Sequence, residues 1–431
     1  MQDSETLLPS PFAGGSAQSG FDVARLLSPE QALAKFFTHA QIGPAGIEEV
    51  PLEGAAGRVL ARDATAREDH PAHPRSTMDG FAVASGPPSR LRIVGEVLMG
   101  HAPPGKLGPG EAMRVPTGGA LPDGADAVVP QEDVEFGPDR TIVVRETVRP
   151  WECVTPQADD VRRGERVLAA GRRLGAPELG VLATLGIVPV AVYLRPRVAI
   201  VSTGDELVDP SQTLRVGQVR DSNRYAIAAA LDALGAEPVH FPRSADTPAA
   251  LSSAVGAALE ACDAVISSGG SSVGERDLVP RIVAELGAPG PIVHGLRVKP
   301  GKPTLLAAVG SKPVIGLPGN PTSALMIFEA IVRPIVAALC GETARSPIVL
   351  RARASAAFVG RAGWTWFVPA RLRERSGTLE AEPVAIRSSH TSLLARASGY
   401  ATLGEQQPEV RIGEYLGVTL FSCGGAPLEV T

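Results

Sequence analysis

Lysine is scarce in this 431-residue chain: Lys35, Lys106, Lys299, Lys302 and Lys312 are the only ones, and every other cation is arginine. Acidic side chains outnumber basic ones, 46 to 41, for a formal net charge of −5. That balance excludes the electrostatic footprint of a general nucleic-acid binder and gives no attraction to an anionic membrane surface. Cysteine is sparse as well. Cys153, Cys262, Cys340 and Cys423 have no paired spacing, which argues against a disulfide framework or a zinc site. At the N-terminus no basic segment precedes an apolar block, so no secretory signal is read. The longest apolar stretch, Ala324 to Leu339, is interrupted by Glu329, Arg333 and Pro334 and reads as a core helix. A cytoplasmic protein without nucleic-acid or membrane partners is the expectation.

With 44% hydrophobic and 20% charged residues, the chain has the composition of a soluble globular protein, and its length calls for several domains. Met1 to Gly20 is rich in Ser, Gly, Pro and Gln and reads as a mobile tail. Ser28-Pro29-Glu30-Gln31 is a helix start, with Ser28 as cap, Pro29 in the first turn and Gln31 closing a capping box; the helix should reach about Ala40. From Asp63 to Val148, short β-rich pieces such as Leu91–Val94 and Thr141–Val144 alternate with Gly/Pro turns, as in a small β domain. The pattern from Asp159 to Val190 gives no assignment.

From Arg197 the period becomes strand, helix, strand, helix. Strands are predicted at Val198–Val201, Pro238–Phe241, Val265–Ile266 and Val314–Leu317, and helices at Asn223–Leu234 and from Asp246 or Thr247 to Ala261. A further helix covers Leu278–Leu286, and a long one follows Asn320-Pro321. This alternation makes a doubly wound α/β domain, whose ligands sit at the carboxyl ends of its strands. After Pro347 short β pieces return, at Phe358, Trp366-Phe367 and Val418–Phe421.

The most informative segment runs from Ser267 to Asp277, Ser-Ser-Gly-Gly-Ser-Ser-Val-Gly-Glu-Arg-Asp. Glycines let the backbone approach a ligand, and free N–H groups and hydroxyls suit an oxyanion. Asp277 can then hold a divalent cation against a phosphate. Two further loops fall at predicted strand ends, Ser202-Thr203-Gly204-Asp205-Glu206 and Gly316-Leu317-Pro318-Gly319-Asn320-Pro321. One such loop alone is most simply a turn; three in one domain are the parts of a phosphate-and-metal site. Lys299-Pro300-Gly301-Lys302 holds two of the five lysines in a stiff segment able to clamp a pyrophosphate. Asp246 reads first as a helix cap and second as a ligand contact. Asp79-Gly80 reads as an ordinary turn. The segment Met113 to Ala120 reads likewise, as a turn with a free Thr117 hydroxyl.

Taken together, six ordered blocks resemble the molybdopterin molybdenumtransferase family of bacterial MoeA and the gephyrin E domain. They are Ser76–Val83, Pro122–Val129, Ser202–Leu207, Ser267–Asp277, Lys299–Pro303 and Gly316–Pro321. The resemblance runs from about Leu26 to the C-terminus. It implies a tail at 1–21, a segmented linker domain at 22–62 and 149–190, and a β domain at 63–148. An α/β molybdopterin-binding domain at 191–345 and a C-terminal β barrel at 346–431 complete the fold. It also implies an elongated homodimer with a cleft between subunits, and transient contact with a molybdopterin adenylyltransferase.

The reaction implied is Mg²⁺-assisted insertion of molybdate into adenylylated molybdopterin with release of AMP. By the same resemblance, Glu206, Asp277 and Asp246 would hold Mg²⁺ or polarise water. Phosphate or molybdate would contact Lys299, Lys302 and the Gly269-Gly270 backbone, and Ser268, Ser272, Pro318 and Asn320 would also bind the substrate. Asp79, counted with Asp277 and Glu206 among the catalytic residues, and Thr117 would reach the ligand from the β domain, and Ser389 from the barrel. The chain departs from the family pattern at Cys153-Val154-Thr155, at Ser271, and at Pro369, where an arginine often stands; Arg371 and Arg373 are nearby. Those departures leave open an alternative, a non-catalytic or weakened paralogue that binds the pterin intermediate as carrier or scaffold. An adenylyltransferase acting on molybdopterin is a third reading.

Overall fold

In the computed structural model, residues 25–269, 278–344, 346–384, 391–422, 424, 426–427 and 429–430 are described. The chain forms two compact units, one of Glu49–Val192 and one of Met1–Glu48 with Tyr193–Thr431.

In the Glu49–Val192 unit a six-stranded sheet runs in the order Ala127–Pro130, Gly80–Val83, Glu111–Val115, Ser89–Glu96, Thr141–Val144, Val134–Gly137. The side-chain period of two divides it cleanly. Phe81 and Val83 join one core with Ile142 and Val144, while Ala82 joins another with Met113, Val115 and Val128. Gly80 is dictated by close packing, since a Cβ there would lie 2.1 Å from the Val129 carbonyl oxygen. A separate core packs Leu60, Leu168, Leu174 and Val190 around Leu182 of the helix Ala176–Thr184. This helix lies in the stretch whose pattern gave no assignment. It opens without a Ser, Thr, Asp or Asn cap: Glu178 instead reaches back to accept from the Gly175 N–H at 3.0 Å.

The second unit begins with the helix Pro29–His39, closed by the expected capping box between Ser28 and Gln31. Its α/β domain has strands β1 Arg197–Ser202, β2 Glu237–His240, β3 Ala264–Ser268, β4 Pro289–His294, β5 Leu305–Val309 and β6 Lys312–Leu317. Helices α1 Asn223–Ala233, α2 Pro248–Ala261 and α3 Leu278–Leu286 connect them. The sheet order is β2-β1-β3-β6-β5-β4. The first four strands are parallel, and β5 and β4 add antiparallel. Val198 to Val201 of β1 are fully buried, as a strand covered on both faces must be. The sequence pattern does not show the antiparallel pair. Pro289 and Pro291 obscure β4, which as an edge strand tolerates them.

After β6 comes the long apolar helix, built as Pro321–Ile327, a π turn Phe328–Val332, and Arg333–Leu339. Pro334 has no N–H to offer the preceding turn and its ring crowds it, so the helix widens just ahead of that residue. By length and composition these 19 residues could cross a membrane. Their place is in the protein core: Phe328, Ile331, Val332 and Ile335 are fully buried.

The C-terminal strands close into a barrel. Thr365–Arg375 pairs with Thr378–Pro383, that strand with Val349–Ala354, Val349–Ala354 with Tyr415–Leu420, and Tyr415–Leu420 with Gly399–Leu403, which returns to Thr365–Arg375. Phe358, Val368, Leu372, Leu403 and Val418 fill its interior. Closure removes the free sheet edges that short strands otherwise expose.

Glu329, on the π turn, accepts from the Ser422 hydroxyl at 2.8 and 3.0 Å. Burial pushes its carboxyl above the usual glutamate value, against smaller opposing effects of Ser422 and Arg333. Tyr400 is raised to about 12, first by burial and then by the Glu329 charge. A raised carboxyl favours the protonated folded state, so this group's contribution is full below the unfolded value and is lost as pH rises through the folded one. Glu329→Gln should therefore remove that fall, because the amide oxygen still accepts from Ser422 without charge. Chemical denaturation of both proteins from pH 4 upward, read as their difference, checks it. A constant difference across the range would contradict the assignment.

Candidate active site at the strand ends

Between β1 and β3 the order of the sheet reverses, since β2 lies on one side of β1 and β3 on the other. Crevices at such switch points, beyond the carboxyl ends of the strands, are where open α/β sheets bind ligands. Here three strand-end loops meet. The Thr203 N–H donates to the Ser268 carbonyl at 3.0 Å, and the Gly269 N–H faces the Leu317 carbonyl at 3.4 Å. Asn223, at the start of α1, binds across two of the loops, its Nδ2 donating to Ser268 Oγ at 2.7 Å and to the Gly319 carbonyl at 2.9 Å. The loops approach so closely that side chains are excluded. Gly269 has φ +95°, and a Cβ on it would stand 2.2 Å from the Thr203 carbonyl oxygen.

Several polar atoms at these strand ends are buried without a hydrogen-bond partner among the described residues: Ser202 Oγ, Ser267 Oγ and Asn223 Oδ1. Each such atom normally costs about 1–3 kcal/mol, which is tolerated where a ligand or function requires it. Beside them stands an acidic group. The Thr203 hydroxyl donates to the Asp246 carboxylate, and the Asp246 N–H faces Asp205 Oδ1 at 3.4 Å. Glu206 folds back over Gly204, where a Cβ would come within 2.9 Å of both its carboxylate oxygens. Asp205, Glu206 and Asp246 are all exposed.

Asp246 is not the helix cap that its sequence position suggests. Thr247 caps α2, its hydroxyl accepting from the Ala250 N–H at 3.3 Å. The Asp246 carboxylate turns instead to Thr203, because its backbone lies one residue outside the helix. Asn320 also differs from expectation: it occupies the cap position before Pro321 but makes no side-chain capping bond, and it is exposed. Pro318 beside it is buried.

Lys299 and Lys302 flank the turn at Gly301, whose φ of +108° and contact with Ile327 leave no space for a Cβ. Lys299 is exposed and its Nζ lies 4.9 Å from the centre of the Trp366 ring. Lys302 is half-buried, and loss of hydration lowers its pKa.

In the Glu49–Val192 unit, Asp79 is more than a turn residue. Its Oδ1 accepts from the Thr117 N–H at 2.7 Å and from the Thr117 hydroxyl at 3.0 Å, so that hydroxyl is not free as expected. These bonds, the backbone one first, hold the Asp79 carboxyl below its usual value.

The structure thus joins Thr203, Glu206, Asp246, Ser268, Gly269, Pro318 and Asn320 at one set of strand ends. Lys299 with Lys302, and Asp79 with Thr117, form two further pairs. Gly270, Ser272, Asp277 and Ser389 lie outside the described residues. Sequence reasoning passed over Asn223 and Trp366. Asn223 reads as an ordinary helix-start residue and Trp366 as barrel core, and only pairing across the fold gives either one its neighbours.

Comparison with known proteins decides what this arrangement belongs to. Residues 27–186 match the MoeA N-terminal region (domain I and II), 199–338 a probable molybdopterin binding domain, and 351–421 the MoeA C-terminal region (domain IV). A molybdopterin molybdenumtransferase of Nostoc sp. is 40% identical over 68% of this chain and 70% of that protein. The chain belongs to the molybdopterin molybdenumtransferase family. A second member, from Haemophilus influenzae, is 31% identical over 92% of this chain and 99% of its own. The crystal structure of a molybdopterin biosynthesis MoeA protein from Pyrococcus horikosii superimposes with a TM-score of 0.78 at 33% identity, covering 92% and 99% of the two chains. As a molybdopterin molybdenumtransferase, the protein is an enzyme of molybdenum cofactor biosynthesis, and its fold is the multidomain MoeA fold.

Among the described residues, no group of three or more His, Cys, Asp or Glu is placed to hold a metal ion. Asp246 and Glu206 offer hard oxygen donors but not a complete cage. That donor set fits Mg²⁺, which keeps several waters and binds through one or two carboxylates together with substrate phosphates.

Proposed function

We propose that this enzyme inserts molybdate into adenylylated molybdopterin and releases AMP, with Mg²⁺ required. The observation that carries the proposal is the set of buried polar atoms without a partner among the described residues, Ser202 Oγ, Ser267 Oγ and Asn223 Oδ1, at the point where the sheet order reverses. The ligand is a pyrophosphate-linked nucleotide with a phosphate-bearing pterin, and the incoming oxyanion is negative as well. Such a set of charges requires close backbone N–H donors, fixed cations and a divalent metal. Ser268 and Gly269, with Gly270 and Ser272, are proposed to line the phosphates, and Pro318 and Asn320 to form the facing wall. Lys299 and Lys302 are proposed to contact phosphate or molybdate.

Glu206, Asp246 and Asp277 would hold Mg²⁺, which when bound neutralises charge on the pyrophosphate as the bond to AMP breaks. Thr203 fixes the Asp246 carboxylate in one orientation through its hydroxyl. Asp79 holds Thr117, and both are proposed as ligand contacts, as is Ser389. Domain boundaries at 62/63, 148/149, 190/191 and 345/346, a homodimer, and transient docking of a molybdopterin adenylyltransferase belong to the same proposal. So does a cytoplasmic location. Sedimentation should then give twice the 44.6 kDa of one chain.

Purified protein supplied with adenylylated molybdopterin, molybdate and Mg²⁺ should release AMP over many turnovers. EDTA should stop the release and added Mg²⁺ restore it. Tight ligand binding without AMP would select the carrier reading, and ATP-dependent adenylylation of molybdopterin would select the adenylyltransferase.

A further inference from the structure

We propose that Trp366 positions Lys299 for its oxyanion ligand, so that a residue of the C-terminal barrel sets anion affinity through the lysine resting on it. The inference rests on the reading of Lys299 as an oxyanion contact. Its geometric basis is the short strand Val298–Lys299, which pairs in parallel with the first residues of the barrel strand Thr365–Arg375. In that register Lys299 lies beside Trp366, and the ammonium sits over the indole, 4.9 Å from its centre.

Both partners are held from behind. The Thr365 N–H donates to the Arg297 carbonyl at 3.1 Å, and Arg297 Nε meets Glu405 Oε1 at 2.8 Å, with both side chains largely buried. Trp366 is 8% exposed, and Gly360 makes room for it: a Cβ there would stand 3.0 Å from the indole Cγ. The indole is therefore fixed and the exposed lysine rests on it.

A free lysine carries a strongly hydrated charge on a flexible stem, and binding an anion must order that stem. An aromatic face attracts the ammonium yet offers no lone pair. It therefore narrows the rotamers while leaving the N–H donors on the far side for an oxyanion. Preorganisation of this kind raises affinity by reducing what binding must order. Removing the aromatic face while keeping an apolar side chain should weaken molybdate binding by roughly tenfold, and a smaller ring should cost less.

The test uses the full chain, molybdate as the probe, and Trp366→Leu, Trp366→Phe and Lys299→Met. Affinity is read by calorimetry, and the signal of the three tryptophans by fluorescence. Molybdate should change the fluorescence of the wild type, because an anion drawn to the ammonium alters the charge above the indole. The change should vanish in Trp366→Phe and in Lys299→Met. Affinity should fall in the order wild type, Trp366→Phe, Trp366→Leu, at thermal midpoints matched by choice of temperature. If Lys299→Met binds molybdate as the wild type does, Lys299 is not a molybdate contact, and the proposal falls together with that part of the underlying reading. If Lys299→Met weakens binding but both tryptophan variants keep wild-type affinity, positioning alone is overturned. Should Trp366→Leu not fold, the wild-type fluorescence still decides: no change at saturation, with binding seen by calorimetry, refutes the contact.

Discussion

Gly269→Ala should lower the rate of AMP release by on the order of a hundredfold, the scale expected when reacting groups are displaced by about an ångström. The backbone there has φ +95°, and the new Cβ would stand 2.2 Å from the Thr203 carbonyl oxygen and 3.3 Å from Thr203 Cγ2. No rotamer relieves a clash with backbone, so one of the two loops must move. Thr203 is the residue whose hydroxyl holds Asp246, and its N–H is bonded to Ser268. A displacement therefore disturbs the Ser268–Gly269 strand end and the Asp246 carboxylate together. Gly310→Ala supplies the control. It lies in the turn between β5 and β6 at φ +60° with nothing within 4 Å of a new Cβ. Left-handed strain there should cost about 1–2 kcal/mol of stability and leave turnover unchanged. Rates and thermal melts of the two variants check the pair, and wild-type turnover in Gly269→Ala would refute the placement of this loop in the site.

Asp246→Asn should give the second large effect, a loss of roughly 10²–10³ in rate at ordinary Mg²⁺ concentrations, as when one preorganised charge-stabilising group is removed. The Asn oxygen can still accept from the Thr203 hydroxyl, so geometry survives and only charge is lost. Part of the loss should return as Mg²⁺ is raised, because the defect is weakened cation binding. Thr203→Val separates the two roles. It keeps the carboxylate but frees it to rotate, and its rate should fall by about tenfold, in line with one lost orienting hydrogen bond. A titration of AMP release against Mg²⁺ for all three proteins is the measurement. Identical midpoints for Asp246→Asn and the wild type would remove Asp246 from the metal's ligands.

Much of this site is legible in the sequence because local chemistry and tertiary structure agree there. Apolar runs such as Val198 to Val201 are fully buried strands. The small residues that follow them are turns, and the topology then brings those turns together. The capping box at Ser28 and Gln31 forms as written. What escaped depends on contacts between distant residues. The preference of Asp246 for Thr203 over its own helix cannot be seen from the Asp-Thr-Pro string, because Asp and Thr both cap well. Thr117 likewise reads as a free hydroxyl until the fold brings Asp79 to within 3.0 Å of it. The strands Pro289–His294 and Leu305–Val309 have prolines and short length against them, and only pairing with β6 and each other makes them strands. Trp366 reads as a packing residue until the parallel pairing places Lys299 over it.

The central claim is that release of AMP and loading of molybdenum are one coupled event at the strand ends of the α/β domain. A stoichiometry experiment tests it most directly, with enzyme in excess over adenylylated molybdopterin, Mg²⁺ present, and AMP and bound molybdenum both counted. The account predicts negligible AMP until molybdate is added, and then equal amounts of AMP and loaded molybdenum. AMP appearing at the same rate without molybdate, or molybdenum loaded with the nucleotide still attached, would contradict it.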